Sequence, residues 1–148
     1  MNNAGKESKF QVPTLNIQDF SQGDPQKRAA FVAGLKKAYT EIGFVVIKGH
    51  SISGEQQQKA YEVCERFFAL SPQEKAQYQV AGIGGARGYT PFGQEHAKDS
   101  PVGDLKEFFH VGMEVPPNHT LAKEYPRNVL VPEVPNFDTT LRKLYNDL

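Results

Sequence analysis

The sequence has one cysteine, no long apolar run and no excess of charge of either sign, and each shortage removes a class of explanation. With Cys64 alone, no internal disulfide can form, so the chain is expected in a reducing, cytoplasmic compartment. Cys64 itself reads as a small hydrophobe on a helix rather than a reactive thiol. No window approaches the roughly 20 apolar residues of a membrane-spanning helix. The polar start, Met1 to Glu7, lacks the apolar stretch of a signal peptide. Seventeen basic residues balance seventeen acidic ones, so no global field draws the chain to nucleic acid or to an anionic membrane, and neither partner is expected. Internal repeats and low-complexity segments are also missing.

What is present suits one globular unit. Of 148 residues, 39% are hydrophobic, and 10 Phe with 6 Tyr supply large side chains for a core. Residues 1–10 are polar and read as a flexible N-terminus. Val12 to Ile17 alternates apolar and polar, which predicts a short strand. Asp24-Pro25 opens a helix as N-cap and first-turn proline, Phe31, Leu35, Ala38 and Ile42 form its apolar face, and Gly43 ends it. Phe44-Val45-Val46-Ile47 predicts a strand buried on both faces. Ser53 with Gln56 fits a capping box ahead of a helix that turns Ala60, Val63, Phe67 and Leu70 inward, and Ser71-Pro72-Gln73-Glu74 repeats the device. After a glycine-rich loop over 81–88, short strands are expected at 89–92 and 106–112. Residues 115–136 hold five of the ten prolines and read as extended loop. Phe137, Leu141, Leu144 and Leu148 keep helical spacing up to the last residue, without a stop signal, so the natural protein is expected to continue. By residues alone this is a mixed α/β, incomplete domain whose open strand edges could bind a partner or a second copy.

Chemistry is harder to find. Gly82-Ile83-Gly84-Gly85 follows a helix and precedes a strand, the reverse of a phosphate cradle, and no Gly-Lys-Ser/Thr follows it. A strand-borne iron site of two imidazoles and a carboxylate commonly begins His-x-Asp/Glu, because alternate strand residues share a face. His50, His96, His110 and His119 are followed two residues on by Ile52, Lys98, Gly112 and Leu121, so none supplies that pair. His96 and His119 read as solvent-facing, His50 as packed in a loop, and His110 as facing a pocket or the core. No Gly-x-Ser-x-Gly elbow occurs, and Cys64 lacks an evident base. Asp104 and Glu107 read as surface charges flanking a strand.

Six segments, taken in order, nonetheless form a recognisable series. They are Val12 to Phe20; Gly43-Phe44-Val45-Val46-Ile47-Lys48-Gly49-His50-Ser51-Ile52; Phe67-Phe68-Ala69-Leu70 through Lys75; Arg87-Gly88-Tyr89; Asp104-Leu105-Lys106-Glu107; and Asn128, Pro132, Pro135, Phe137. Together they resemble the N-terminal region of the isopenicillin N synthase-like family of Fe(II) and 2-oxoglutarate-dependent oxygenases, with Ser51 standing where glycine is usual. The resemblance covers about residues 11–148. It implies N-terminal helices and the leading strands of a double-stranded β-helix, or jelly roll, cut before its catalytic core. It also implies Fe(II) and 2-oxoglutarate as cofactors and a small-molecule substrate for the full-length enzyme. The His-x-Asp, distal His and Arg-x-Ser of such enzymes have no counterpart here, so no catalytic, cofactor or metal residue is assigned and the chain alone is expected to be inactive.

The same resemblance makes Arg87 and Tyr89 candidate substrate contacts near the active-site mouth. Arg87 could pair with a substrate carboxylate or pin a loop. Along the strand after Glu107, either Phe108 and His110 or Phe109 and Val111 would line the pocket, and alternation does not choose between them; Phe108 and His110 are carried forward with Arg87 and Tyr89.

Overall fold

The computed structural model describes residues 11–99 and 101–148, so the expectation for residues 1–10 lies outside the described residues. The chain divides into two compact units, one ending at Ser51 and the other running from Ile52 to Leu148.

In the first unit, β1 (Thr14–Asn16) pairs in parallel with β2 (Val46–Lys48), and α1 (Ile17–Ser21) and α2 (Pro25–Glu41) lie between them in sequence. The strand expected over 12–17 is shorter because Asn16 caps a helix, its side chain accepting from the Gln18 amide at 3.1 Å. Gly49 allows that cap: a Cβ there would sit 2.0 Å from Asn16 Oδ1. Asp24 caps α2 through the Lys27 amide (2.8 Å), Pro25 occupies the first turn, and Gly43 follows the helix at φ +85°. Gly34 brings α2 against Leu15, leaving a Cβ only 3.0 Å from Leu15 Cδ2. The expectation of a strand buried on both faces is corrected here. Ile47 is half-buried, but Val46 and Phe44 are 49% and 69% exposed. A β-branched apolar run permits burial on two faces, but burial needs a layer on each, and β2 pairs only with β1 among the described residues.

The second unit holds α3 (Gly54–Phe68), α4 (Pro72–Ala76), β3 (Gly88–Thr90), β4 (Phe108–His110), a 3₁₀ turn (Thr120–Lys123) and α5 (Phe137–Asp147). Ser53 caps α3 through the Gln56 amide, but the expected box is half made, because the Gln56 side chain donates instead to Asp147 on α5 at 2.7 Å. At α4 the box is complete, with Ser71 and Glu74 each bonding the other's backbone. Ala60, Val63 and Phe67 of α3 are buried as their spacing predicts. Phe67, wholly buried, lies within 6 Å of five other rings: Phe68, Tyr78, Tyr89, Phe109 and Phe137. Its contact with Phe109 is edge-to-face at 4.9 Å, an arrangement that adds about 0.5–1.5 kcal/mol beyond area burial. Val131, Val134 and Phe137, from the proline-rich stretch and the start of α5, close this core.

Candidate functional site

β3 and β4 form an antiparallel ribbon with Gly88 opposite His110, Tyr89 opposite Phe109 and Thr90 opposite Phe108. Gly88 starts it at φ +75°, where a Cβ would meet the Tyr78 carbonyl at 2.3 Å; that carbonyl accepts from the Tyr89 amide at 2.9 Å. Pro91 lacks an amide and follows the last residue of the strand. Alternation then gives the ribbon two different faces.

Tyr89 and Phe109 point into the aromatic core, and Glu107 lies on the same side. There Lys75 Nζ bonds both Glu107 oxygens (3.0 and 2.8 Å) and the Phe68 carbonyl (3.2 Å), while the Tyr89 hydroxyl donates to Glu107 Oε2 at 2.5 Å. The side chains of Lys75 and Glu107 are 8% and 15% exposed. Glu107 is therefore not a surface charge, and that expectation is corrected: Lys75 and Tyr89 satisfy it inside the fold. Burial opposes ionisation of Glu107, yet the bonds from Lys75 and Tyr89 and the charge of Lys75 outweigh it and hold the carboxyl below its ordinary range. Burial, then the bond to Glu107 and its charge, pushes the Tyr89 hydroxyl up to about 12. Asp104 behaves as expected, pairing near the surface with Lys106 at 3.0 Å.

On the opposite face lie Thr90, Phe108 and His110, edged by the glycine-rich loop. His110 Nδ1 is 2.5 Å from the Gly85 carbonyl, and the His110 and Phe108 rings lie 4.7 Å apart. The buried Thr90 hydroxyl has no hydrogen-bond partner, and a Cβ on Gly85 would come within 2.9 Å of it. Arg87 is half-buried beside this edge. Its Nη1 donates to the Ala86 carbonyl (2.6 Å) and Nη2 reaches the Met113 carbonyl (3.4 Å), while the buried Nε has no partner. The guanidinium fills the space a side chain at Gly112 would take, 2.3 Å from a Cβ there. Asn128 fixes Gly112 from the other direction, accepting from its amide and donating to its carbonyl, each at 2.8 Å.

The four candidate contacts thus fall into two groups. Arg87 and His110 bond the adjacent carbonyls of Ala86 and Gly85, and Phe108 packs against the His110 ring, whereas Tyr89 is enclosed in the core with its hydroxyl engaged. His50 is exposed rather than loop-packed, His96 and His119 are exposed, and His119 caps the 3₁₀ turn through the Leu121 amide. Sequence reasoning passed over Lys75 and Glu107 as a pair. The signal was available, since each ends one of the six segments and a buried lysine needs a carboxylate. The described residues do not fit an iron ion: they gather no trio of His, Cys, Asp or Glu, Glu107 is committed to Lys75, and His110 Nδ1 to Gly85.

Residues 12–133 match the sequence family described as non-haem dioxygenase in morphine synthesis, N-terminal. The chain belongs to this non-haem dioxygenase N-terminal family. Its relatives in the family include the 2-oxoglutarate-dependent dioxygenase traH of Penicillium crustosum, 32% identical over 110 residues that make up 71% of this chain and 34% of traH. The dioxygenase tropC of Talaromyces stipitatus is 30% identical over 77% of this chain and 36% of its own length. The chain therefore spans about a third of these curated relatives. Among solved structures, a 2OG-Fe(II) oxygenase family protein from Caulobacter crescentus superposes with a TM-score of 0.72 at 34% identity, over 91% of this chain and 43% of the other. A full-length Neurospora crassa protein, solved in complex with α-ketoglutarate and thymine, shares the fold at TM-score 0.70 and 19% identity, over 95% of this chain and 45% of its own. The dioxygenase N-terminal segments noted in the sequence, from Phe67 to Lys75, Arg87 to Tyr89 and Asp104 to Glu107, meet physically in the Lys75–Glu107–Tyr89 cluster beside Phe67.

Proposed function

We propose that this chain is the N-terminal portion of an Fe(II) and 2-oxoglutarate-dependent oxygenase that oxidises a small molecule. On this reading residues 11–148 supply helices and the first strands of a jelly roll, and the iron and cosubstrate are held by residues that the chain does not contain. By itself it is inactive. Family membership and relatives that run well beyond the matched region support this. The observation that carries the site is the two-faced ribbon. Its Tyr89–Phe109 face is consumed by the core, which favours Phe108 and His110 over Phe109 and Val111 as pocket lining. Beyond the bonds to the Ala86 and Met113 carbonyls, Arg87 keeps one N–H on each of Nη1 and Nη2, and these take a substrate carboxylate through parallel hydrogen bonds. Tyr89 acts behind them, holding Glu107 and with it the strand.

The test is the protein as its native cell makes it. An intact mass well above 16.5 kDa, for a protein that contains this sequence and shows Fe(II)-dependent conversion of 2-oxoglutarate to succinate, is the expected result. A native mass of 16.5 kDa would sink the reading and turn attention to a non-catalytic module that pairs through its strand edges.

A further inference from the structure

The ring of His110 is held in one tautomer. Its Nδ1 faces the Gly85 carbonyl at 2.5 Å, and a carbonyl oxygen only accepts, so in the neutral imidazole Nδ1 carries the proton. Nε2 is then a lone-pair acceptor on the far side of the ring. The ring cannot easily turn to exchange these roles, because Phe108 packs against it at 4.7 Å with the planes 60° apart. The residue is exposed, and its bond to Gly85 is its one hydrogen bond among the described contacts. Close by, Arg87 is anchored to the next carbonyl in the loop, Ala86, and lies over Gly112, two residues beyond His110.

From this geometry we infer that His110 is a specificity-determining hydrogen-bond acceptor, and that the pocket takes a planar aromatic acid bearing a hydroxyl group. The hydroxyl donates to Nε2, Phe108 offers the ring an apolar neighbour, and the carboxylate accepts from the N–H groups of Arg87 Nη1 and Nη2 that the Ala86 and Met113 carbonyls leave free. A methyl ether in place of the hydroxyl leaves Nε2 facing a group that cannot donate. The inference rests on the preceding assignment of this face to the substrate pocket and adds the polarity that the face selects.

Long-range ¹H–¹⁵N correlation spectra of the uniformly ¹⁵N-labelled full-length protein read the tautomer without any ligand or variant. A protonated Nδ1 and bare Nε2 at His110 are expected, and the reverse tautomer would overturn the inference. Titration with 4-hydroxybenzoate and 4-methoxybenzoate follows. The phenol should move the Nε2 resonance and bind about five- to tenfold tighter than the ether, the scale of one lost hydrogen bond. In His110→Phe the two acids should bind alike. Equal affinities in the unmodified chain, with shifts at Arg87 and Phe108, would overturn the role of His110 and leave the pocket standing. Silence at all three residues would overturn both.

Discussion

The two units of the chain solve the same packing problem to different degrees. The first sets a two-stranded sheet against α2, and only Phe31 and Ala38 are buried among its described residues, while Phe20, Val32, Tyr39, Phe44 and Val46 remain exposed. The second surrounds Phe67 with rings from α3, β3, β4 and α5 and ties its ribbon down with a buried ion pair. Apolar residues are plentiful in both, so composition does not separate them. Partners do: the buried rings of the second unit, Phe67, Tyr78, Tyr89 and Phe137, meet one another from distant parts of the sequence, whereas among the described residues the sheet of the first is packed by α2. Burial is thus a property of the layers available and not of the run of residues that seeks it.

Breaking the ion pair should produce the largest contrast. Lys75→Met leaves Glu107 charged and enclosed, which costs about 3–5 kcal/mol, to be read from chemical denaturation. The double variant Lys75→Met, Glu107→Leu removes both charges and should recover most of that loss. Full recovery would mean that the pair positions β4 without adding net stability. A Lys75→Met variant as stable as the parent would mean that the second unit rests on its rings alone.

A smaller effect separates the units by pH. Because folding raises the Tyr89 hydroxyl from 10 to about 12, its stabilising share is whole below pH 10 and is lost as pH rises towards 12. Over that window about 3 kcal/mol should disappear from the second unit, and Tyr89→Phe should abolish this alkaline limb. Glu107 works in the opposite sense. Its lowered carboxyl stabilises the fold above the ordinary value of 4.5, and that share is lost as pH falls through the folded value.

Much of this was legible in the sequence wherever the cause is local. Asp24-Pro25, Ser53 and Ser71-Glu74 announce helix starts because a cap is made by residues three apart. The spacing of Ala60, Val63 and Phe67 announces a buried face for the same reason. What failed to show was set by distance along the chain. Glu107 looked like a surface charge because its partner lies thirty-two residues away on α4. Gln56 fits a capping box by spacing, yet Asp147, ninety-one residues on, takes its side chain. The ribbon behaved likewise: alternation separates Phe108 and His110 from Phe109 and Val111, but only Phe67 and Phe137 decide which face the core takes. The segments that carried the family resemblance were legible as a pattern before their purpose was, since most of them build the scaffold behind the candidate pocket.

The smallest predicted effect bears most directly on the first unit. Phe44 is 69% exposed and ends no helix, makes no cap and fills no cavity among the described contacts. Phe44→Ser should therefore change the stability of the 148-residue chain by no more than about 0.5 kcal/mol, the range of ordinary surface substitutions. A loss of about 3 kcal/mol or more would mean that the ring is buried in solution, because only cavity formation in a packed core costs a phenylalanine that much. The first unit would then possess the second layer that its apolar strand calls for, and its contrast with the aromatic core of the second unit would be one of how each is covered, not of how much each buries.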